Sequence, residues 1–285
     1  MNSEFREVET TGAINDAHVM IIAHRGARSL APENTIPAAV KALEVHADGW
    51  ELDVAMSSDG ELVVLHDDTL ERTSNVAQVF PEKSPWRVYD FSIEELRQLD
   101  FGSWFIEKDP FDQIAQEQIL PADWTEFRGA AIPTLGEALE FTNSNHWWVN
   151  IEIKDASGTF ADEVIVSEVV RLVEAMDMES QVLISSFKFD YLKQVKELNP
   201  NLATGVLVSN YQMDPLSLMQ TLDAQAYHPG LKATRAHQVQ LLRENGYDVN
   251  VWTVNEIPDM ENLIAMGVTG IITDFPQRLY PILNP

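Results

Sequence analysis

The chain has 285 residues, 45% of them hydrophobic, which is enough for a large buried core in one or two domains. Its formal net charge of −26 argues against nucleic acid and anionic membrane surfaces as partners, because both bind to basic protein surfaces. The sequence contains no cysteine, which excludes disulfides and thiolate metal sites.

The chain opens with MNSEFREVETTGAIND, which is acidic and lacks the apolar stretch of a secretory signal peptide. No apolar run approaches the length of about 18 residues that a membrane-spanning helix needs. We therefore expect a cytoplasmic protein with no stable membrane association, although a signal removed upstream of this sequence would leave the same pattern.

Short apolar runs of strand length recur along the chain, and most are followed by a segment with helical spacing. The runs are residues 19–24, 50–56, 61–66, 148–154, 182–187, 203–209, 224–229, 248–255 and 270–274. The helical segments include residues 34–47, 159–176, 188–198, 233–246 and 256–267. Strands that alternate with helices across short connections predict a parallel sheet built from βα units.

The run at residues 61–66 is an exception, because it follows Asp59 and Gly60, and Asp-Gly is a strong hairpin signal. Without it eight strands are left, which fits an α/β fold of the closed (β/α)₈ barrel type. A doubly wound open sheet is the rival, but the chain lacks its Gly-rich phosphate loop. We interpret residues 67–132 as a small cap insertion after strand 2 of a single domain, residues 1–285.

Acidic residues alternate with apolar ones in two of the strands. Glu51 and Asp53 share one face of the second strand, and Glu152 and Lys154 share one face of residues 148–154. In a barrel the apolar side chains pack on the helices, so the carboxylates face the interior. A divalent cation with oxygen ligands would compensate their charge. An ion-pair network without metal, in which Lys154 pairs with Glu152, is the alternative.

Two histidines are predicted to flank this acidic site. If Asp59 and Gly60 are the two central turn residues, His66 lies opposite Asp53, with Cβ atoms roughly 4.5–5.5 Å apart. His24 ends the first strand, which neighbours the second in a barrel, at the end where barrel enzymes carry their chemistry. Such a pair suits general acid–base catalysis near neutral pH.

Positive charge accompanies the same strand ends. Arg25 follows the first histidine, and together with Lys154 and a metal ion it would suit an anion such as a phosphodiester. Four further histidines are expected to be spectators, and the role of His228 is left open. The expected spectators are His18, His46, His146 and His237.

Several motifs together resemble the glycerophosphodiester phosphodiesterase family in order and spacing, from about residue 21 to residue 276. They are HRGARSLAPENT, ELDVAMSSDGELVVLHDDTLERTSN, IPTLGEALEF, IEIK, VWTVN and GIITDFP. The resemblance implies a TIM barrel with a small insertion after strand 2. It also implies metal-dependent hydrolysis of glycerophosphodiesters, small-molecule substrates of lipid and glycerol metabolism, to glycerol 3-phosphate and an alcohol.

The resemblance assigns roles to particular residues. Carried over by motif, the catalytic acid–base pair would be His24 and His66, the metal ligands Glu51, Asp53 and Glu152, the phosphate contacts Arg25 and Lys154, and the contact at the glycerol end Trp252. One divalent cation is implied, and Mg²⁺ is favoured over Ca²⁺ because a cytoplasmic enzyme more often meets it. Residues 107–127 exceed the compact relatives in length, which leaves the head group open.

Two other functions stay open at this point. A lipid phosphodiesterase of the phospholipase D or sphingomyelinase D type would need an exposed apolar rim, for which Trp104, Phe105 and Phe111 are candidates if they do not pack within the cap. A non-catalytic barrel that binds a phosphorylated metabolite would need the same polar site without turnover. Neither the oligomeric state nor the attacking nucleophile, water or a substrate hydroxyl, follows from the sequence.

Overall fold

The computed structural model describes residues 18–285, so the stretch in which we expect no signal peptide lies outside the described residues. Its strands form one sheet in the order β1-β9-β8-β7-β6-β5-β4-β2-β3, and pairing between β1 and β2 closes it. The strands are β1 Met20–His24, β2 Gly49–Met56, β3 Leu62–Val64, β4 Trp148–Ile153, β5 Val182–Ser186, β6 Ala203–Val208, β7 Ala226–Pro229, β8 Asp248–Val251 and β9 Gly270–Thr273. Apart from β3, which is antiparallel to β2, all are parallel, and the predicted α/β TIM barrel is confirmed.

A helix follows each parallel strand, and four short helices lie in the segment between β3 and α6. The α-helices are α1 Ile36–Glu44, α2 Val76–Val79, α3 Ile93–Leu96, α4 Ser103–Lys108, α5 Trp124–Phe127, α6 Leu135–Ser144, α7 Ile165–Ala175, α8 Phe189–Leu198, α9 Pro215–Leu222, α10 Ala236–Glu244, α11 Ile257–Met266 and α12 Pro276–Leu283. Among residues 18–285, none of these helices is long and apolar enough to cross a membrane.

The alternation in β2 sends its side chains to two different environments. Trp50 and Leu52 are fully buried in the core between the strands and the outer helices. The Trp50 indole stacks on Trp147 with ring centroids 6.3 Å apart, and its Nε1 donates to Thr142 Oγ1 of α6 at 2.9 Å. Because neighbouring residues of a strand face opposite ways, this packing turns the carboxylates of β2 towards the barrel interior.

The hairpin formed by β2 and β3 differs by one residue from the predicted pairing. Val54 pairs with Val64, and the Leu65 amide donates to the Asp53 carbonyl at 2.9 Å. The predicted opposition of Asp53 and His66 is therefore wrong. His66 comes one residue after the end of the pairing, where the chain leaves the sheet.

The turn chemistry explains the shift. The Ser57 amide donates to the Glu61 carbonyl at 2.9 Å, which leaves a loop of three residues, 58–60, instead of two. Gly60 has a φ of 89°, the left-handed conformation that closes three-residue hairpin loops. Asp59 accepts a hydrogen bond from Ser57 Oγ at 2.6 Å, so its side chain stabilises this longer turn.

The segment between β3 and α6 has a small hydrophobic core of its own, to which the hairpin contributes. Its buried residues are Ala55, Val63, Leu65, Leu70, Val76, Val88, Phe91, Leu96, Leu99, Phe101 and Ile132. Trp104 and Phe105 instead join the barrel core, with 8% and 0% of their surface exposed. They therefore provide no exposed apolar rim, because both are buried against the barrel.

The chain turns sharply after β1 and passes close to α1. Gly26 has a φ of 78°, and a Cβ at this position would lie 2.6 Å from the Ala38 Cβ. A side chain here would be strained by both backbone conformation and space.

We predict that Gly26→Ala destabilises the protein more than the matched variant Gly60→Ala. Both glycines have a positive φ, but no atom of the described residues lies within 4 Å of a Cβ at Gly60. The left-handed backbone should cost each variant about 1–2 kcal/mol, and crowding should cost Gly26→Ala about 1–3 kcal/mol more. Urea unfolding followed by tryptophan fluorescence measures both. Equal losses would contradict the close packing on α1.

Candidate active site

A cavity opens at the carboxyl ends of the barrel strands and brings the predicted site residues together. Its lining residues are His24, Arg25, Glu51, His66, Asn150, Glu152, Lys154, Phe187, Leu207, Trp252, Thr253 and Ile272. Asp53, the remaining predicted residue, is buried beside Glu51 and Glu152. The predicted cluster therefore exists, even though the hairpin register on which part of it was based is wrong.

The three carboxylates form a group that could hold a divalent metal ion. Glu51, Asp53 and Glu152 each offer an oxygen within 4.8 Å of the others. Glu51 Oε1 and Asp53 Oδ1 are buried and accept no hydrogen bond from the residues described. Burial and the charges of Asp53 and Glu152 raise the pKa of Glu51 well above its usual range. Oxygen acceptors without donors fit a cation with oxygen ligands.

Two cationic side chains neutralise part of this charge. Lys154 Nζ lies 2.8 Å from Glu152 Oε1 and 3.5 Å from Asp53 Oδ1, and Arg25 Nε lies 3.3 Å from Asp53 Oδ2. Burial would raise the pKa of Asp53, but the charges of Arg25 and Lys154 lower it to about 2. The ion-pair network considered as an alternative is thus present, yet it leaves Glu51 Oε1 without a donor among residues 18–285.

His24 is held by a carboxylate from the last strand. Its Nδ1 lies 2.6 Å from Asp274 Oδ1, and the other oxygen of Asp274 accepts a hydrogen bond from Asn255 Nδ2 at 2.8 Å. Burial and the charge of Arg25 lower the pKa of His24, which favours the neutral ring. With Nδ1–H donated to Asp274, His24 Nε2 is the free nitrogen, 3.9 Å from Glu51 Oε2.

His66 is held in the same way by its own neighbour. His66 Nδ1 lies 2.6 Å from Asp67 Oδ1, and Asp67 Oδ2 accepts a hydrogen bond from Arg72 Nε at 2.5 Å. Burial would raise the pKa of Asp67, but the hydrogen bonds from His66 and Arg72 lower it, so the carboxylate stays ionised. Two histidine–aspartate pairs therefore border the cavity beside the acidic group, which is an arrangement suited to proton transfer to and from a bound molecule.

Aromatic and apolar side chains form another wall of the cavity. Trp252 lies edge-on to Phe187 with ring centroids 5.4 Å apart, and its Nε1 donates to the carbonyl of His228 at 2.8 Å.

The role of His228 was left open by the sequence analysis. In the structure this histidine is fully buried, and its Nε2 lies 3.1 Å from Asn250 Nδ2. Burial lowers its pKa to about 3, so it is a neutral core residue.

The two aspartates that orient the histidines were not found by sequence reasoning. Asp67 directly follows His66, and Asp274 directly follows β9, the strand that pairs with β1. Strand order in a barrel therefore offered a signal for Asp274 beside His24, since the first and last strands are neighbours.

Comparisons with known proteins agree with this geometry. Residues 24–278 match the model of the glycerophosphoryl diester phosphodiesterase family. The chain is 37% identical to a glycerophosphodiester phosphodiesterase of Caldanaerobacter subterraneus over 93% of this chain and 98% of that protein. It is 31% identical to one of Bacillus subtilis, over 93% and 86%. A phosphodiesterase of Oleispira antarctica, solved in complex with the product sn-glycerol-3-phosphate, superposes with a TM-score of 0.78 at 28% identity, over 93% and 97%.

We predict that Glu51→Gln stabilises the metal-free protein and removes its response to divalent cations. Glutamine can still accept the hydrogen bond that the Arg25 amide donates to Glu51 Oε2 at 2.9 Å, but it removes one of three crowded carboxylates. The free energy of unfolding in EDTA should rise, because burial and the charges of Asp53 and Glu152 disfavour the ionised form of Glu51, and glutamine carries no such charge.

Thermal unfolding in EDTA, in Mg²⁺ and in Ca²⁺ measures both effects. The wild type should gain about 2.7 kcal/mol when the cation is at a hundredfold excess over its Kd. Glu168→Gln removes an exposed carboxylate paired with Arg171 on α7, and it should change neither quantity. A Glu51→Gln protein that is less stable in EDTA and still stabilised by a cation would contradict the assignment of the site.

Proposed function

The chain belongs to the glycerophosphoryl diester phosphodiesterase family, and from this membership we propose its reaction in detail. It is a phosphodiesterase, and its substrates would be small glycerophosphodiesters that it hydrolyses to sn-glycerol 3-phosphate and a free alcohol. The observation that carries the proposal is that two carboxylate-bound histidines, His24 and His66, line one cavity. Arg25, Lys154 and two of the acidic residues, Glu51 and Glu152, line it as well.

The acidic group would hold one divalent cation. Glu51, Asp53 and Glu152 are the ligands that we propose, because two of their buried oxygens find no donor in the described part of the chain. When bound, the cation would offset the charge of the phosphate and of the carboxylates around it. We propose a cytoplasmic location, and we favour Mg²⁺ over Ca²⁺ because a cytoplasmic enzyme more often meets Mg²⁺.

Arg25 and Lys154 would bind the phosphate oxygens. Both line the cavity, and both are charged: burial lowers the pKa of Lys154, but the charges of Asp53 and Glu152 raise it above its usual value. A phosphodiester carries one negative charge, and a second negative charge develops on its oxygens as the nucleophile attacks. Cations placed beforehand stabilise this developing charge without the cost of reorganising water.

The two histidines would move the proton. A water molecule attacks phosphorus, or the neighbouring hydroxyl of the substrate does so and forms a cyclic phosphate, which a water molecule then opens to glycerol 3-phosphate. In either case the bond from phosphorus to the alcohol oxygen breaks. One histidine accepts the proton of the attacking oxygen, and the other donates a proton to the departing alkoxide. Asp274 and Asp67 would act on His24 and His66 as orienting groups, each fixing Nδ1 so that Nε2 serves the substrate.

Trp252 would contact the glycerol carbons. It lines the cavity and packs edge-on against Phe187, which lines the cavity too. The chain as a whole would act as one domain, residues 1–285, in which residues 67–132 are an insertion.

We predict that release of glycerol 3-phosphate depends on a divalent cation. Glycerophosphocholine and glycerophosphoethanolamine are incubated with the protein in EDTA, then with Mg²⁺ or Ca²⁺ restored, and glycerol 3-phosphate is measured by a coupled dehydrogenase assay. EDTA should abolish release and one cation should restore it. Full activity in EDTA would exclude the metal, and no release with any cation would exclude this substrate class.

We predict that His24→Ala and His66→Ala each lower kcat by about 10²–10⁴. His237→Ala is the matched control, because this histidine lies on α10 and is expected to be a spectator; its kcat should equal that of the wild type. Steady-state kinetics at saturating cation measures all three proteins, with thermal unfolding to confirm that each is folded. Wild-type kcat in either site variant would refute the role of that histidine.

A further inference from the structure

One buried carboxylate that the proposed reaction does not use, Glu33, forms ion pairs with three arginines. Glu33 lies in the APENT motif after β1 and has 3% of its side chain exposed. Its Oε1 lies 2.8 Å from Arg25 Nη1, and its Oε2 lies 2.9 Å from Arg28 Nη2. Arg72, from the LERTSN motif after β3, donates to both oxygens, at 2.9 Å from Nη1 and 2.6 Å from Nη2. Glu33 therefore links two segments of the chain that both border the cavity.

The third nitrogen of the Arg72 guanidinium also donates a hydrogen bond. This nitrogen, Nε, hydrogen bonds to Asp67 at 2.5 Å, and Asp67 in turn holds His66. A single guanidinium thus bridges the partner of a catalytic histidine and the carboxylate that holds the phosphate-binding Arg25. On the other side, Arg28 Nη1 lies 3.7 Å from the partner of the first histidine. In order along the array the residues are His66, Asp67, Arg72, Glu33, Arg28, Asp274 and His24.

Glu33 is ionised at neutral pH. Burial would raise the pKa of Glu33, but the hydrogen bonds from Arg72 and the charges of Arg25 and Arg28 lower it far below its usual range. An ionised carboxylate with three guanidinium groups makes charge-assisted hydrogen bonds, which are shorter and stronger than neutral ones. Rigid contacts of this kind can fix side chains to the fraction of an ångström that catalysis requires.

We propose that Arg72 is a positioning residue that fixes His66 relative to Arg25 by binding Asp67 and Glu33 at once. The inference rests on the proposed function, in which His66 transfers a proton and Arg25 holds the phosphate. The competing explanation is that Arg72 merely fastens the segment after β3 to the barrel. The two differ in whether the geometry of the guanidinium, beyond its charge, affects turnover.

Arg72→Lys separates the two explanations. Lysine keeps the positive charge but has one nitrogen, which cannot reach Asp67 and both oxygens of Glu33 in the same planar arrangement. The side chain of Arg72 is 39% exposed, so the substitution opens no cavity in the core. We expect kcat to fall about 10-fold to 100-fold, with a smaller change in KM, because Arg25 keeps its own contacts with Glu33 and Asp53.

Arg97→Lys is the matched control. Arg97 belongs to the same segment and also makes two contacts through its guanidinium, to the Ile132 carbonyl at 2.7 Å and to Glu137 at 2.6 Å. Its kcat should equal that of the wild type, even if its melting temperature falls as far as that of Arg72→Lys. Equal kcat in both variants would overturn the proposal in favour of simple fastening.

A double variant tests whether Arg72 acts through Asp67. Asp67→Asn should itself lower kcat, because the amide cannot orient His66 as the carboxylate does. If Arg72 acts through Asp67, adding Arg72→Lys to Asp67→Asn should lower kcat by less than a further twofold. The reason is that the effects of two substitutions within one hydrogen-bond network are not additive. Losses that multiply in full would overturn the proposal.

A spectroscopic measurement tests the array without relying on turnover. In protein labelled with ¹⁵N-histidine, the Nδ1–H of His66 should give a downfield proton signal from its hydrogen bond to Asp67, assigned by its loss in His66→Gln. Arg72→Lys should change the chemical shift of this signal, and Arg97→Lys should leave it in place. An unmoved signal in Arg72→Lys would overturn the proposal. A moved signal in a protein that hydrolyses no glycerophosphodiester would support the array and refute the proposed function.

Discussion

The burial of three carboxylates at one end of the barrel is the constraint on which the rest of the site depends. The alternation of β2 and β4 makes this burial unavoidable, because the apolar faces of the same strands pack on the helices. Each carboxylate then needs donors or a cation, since an uncompensated buried charge costs several kcal/mol. The loop after β1 supplies two of these donors: the Arg25 amide donates to Glu51, and Asn34 Nδ2 donates to Asp53 at 2.9 Å. Both loop residues take a left-handed φ, 56° for Arg25 and 57° for Asn34, a conformation that is common for asparagine and uncommon for arginine.

The same constraint explains how so acidic a chain can present a site for phosphate. The protein has 19 lysines and arginines against 45 acidic residues, so its overall field repels anions. Four of the cations nevertheless lie around the cavity, each within ion-pair distance of a carboxylate: Arg25, Arg28, Arg72 and Lys154. The buried carboxylates therefore concentrate positive charge locally, and in the proposed reaction the substrate would meet Arg25 and Lys154, which line the cavity, rather than the average surface.

Features that depend on neighbours along the chain could be predicted from the sequence, and features that depend on contacts across space could not. The strands, the barrel and the inward carboxylates follow from local periodicity, and the motif resemblance adds residues such as Trp252. The hairpin register failed because one left-handed residue, Gly60, lengthens the loop, and a single Asp-Gly pair does not reveal that. The array around Glu33 was missed for the other reason. Arg72 lies 39 residues away, and the partner of His24 lies 250 residues away, so only the closed barrel brings them together.

His66 lies after β3, outside the parallel strands of the barrel, so its position depends on the small hydrophobic core of the segment between β3 and α6. Ala55 of β2 and Val63 and Leu65 around β3 pack into that core, which fixes the hairpin against the segment that follows it. His66 and Arg72 lie on either side of Leu70, another member of the core, so their backbone is held by apolar packing while their side chains reach the barrel. Packing and backbone hydrogen bonds, such as the one that the Leu70 amide donates to the Trp86 carbonyl, set the position of this backbone, whereas in our proposal the guanidinium sets the direction of the ring. The proton transfer proposed for His66 requires both, because apolar contacts have no directional preference.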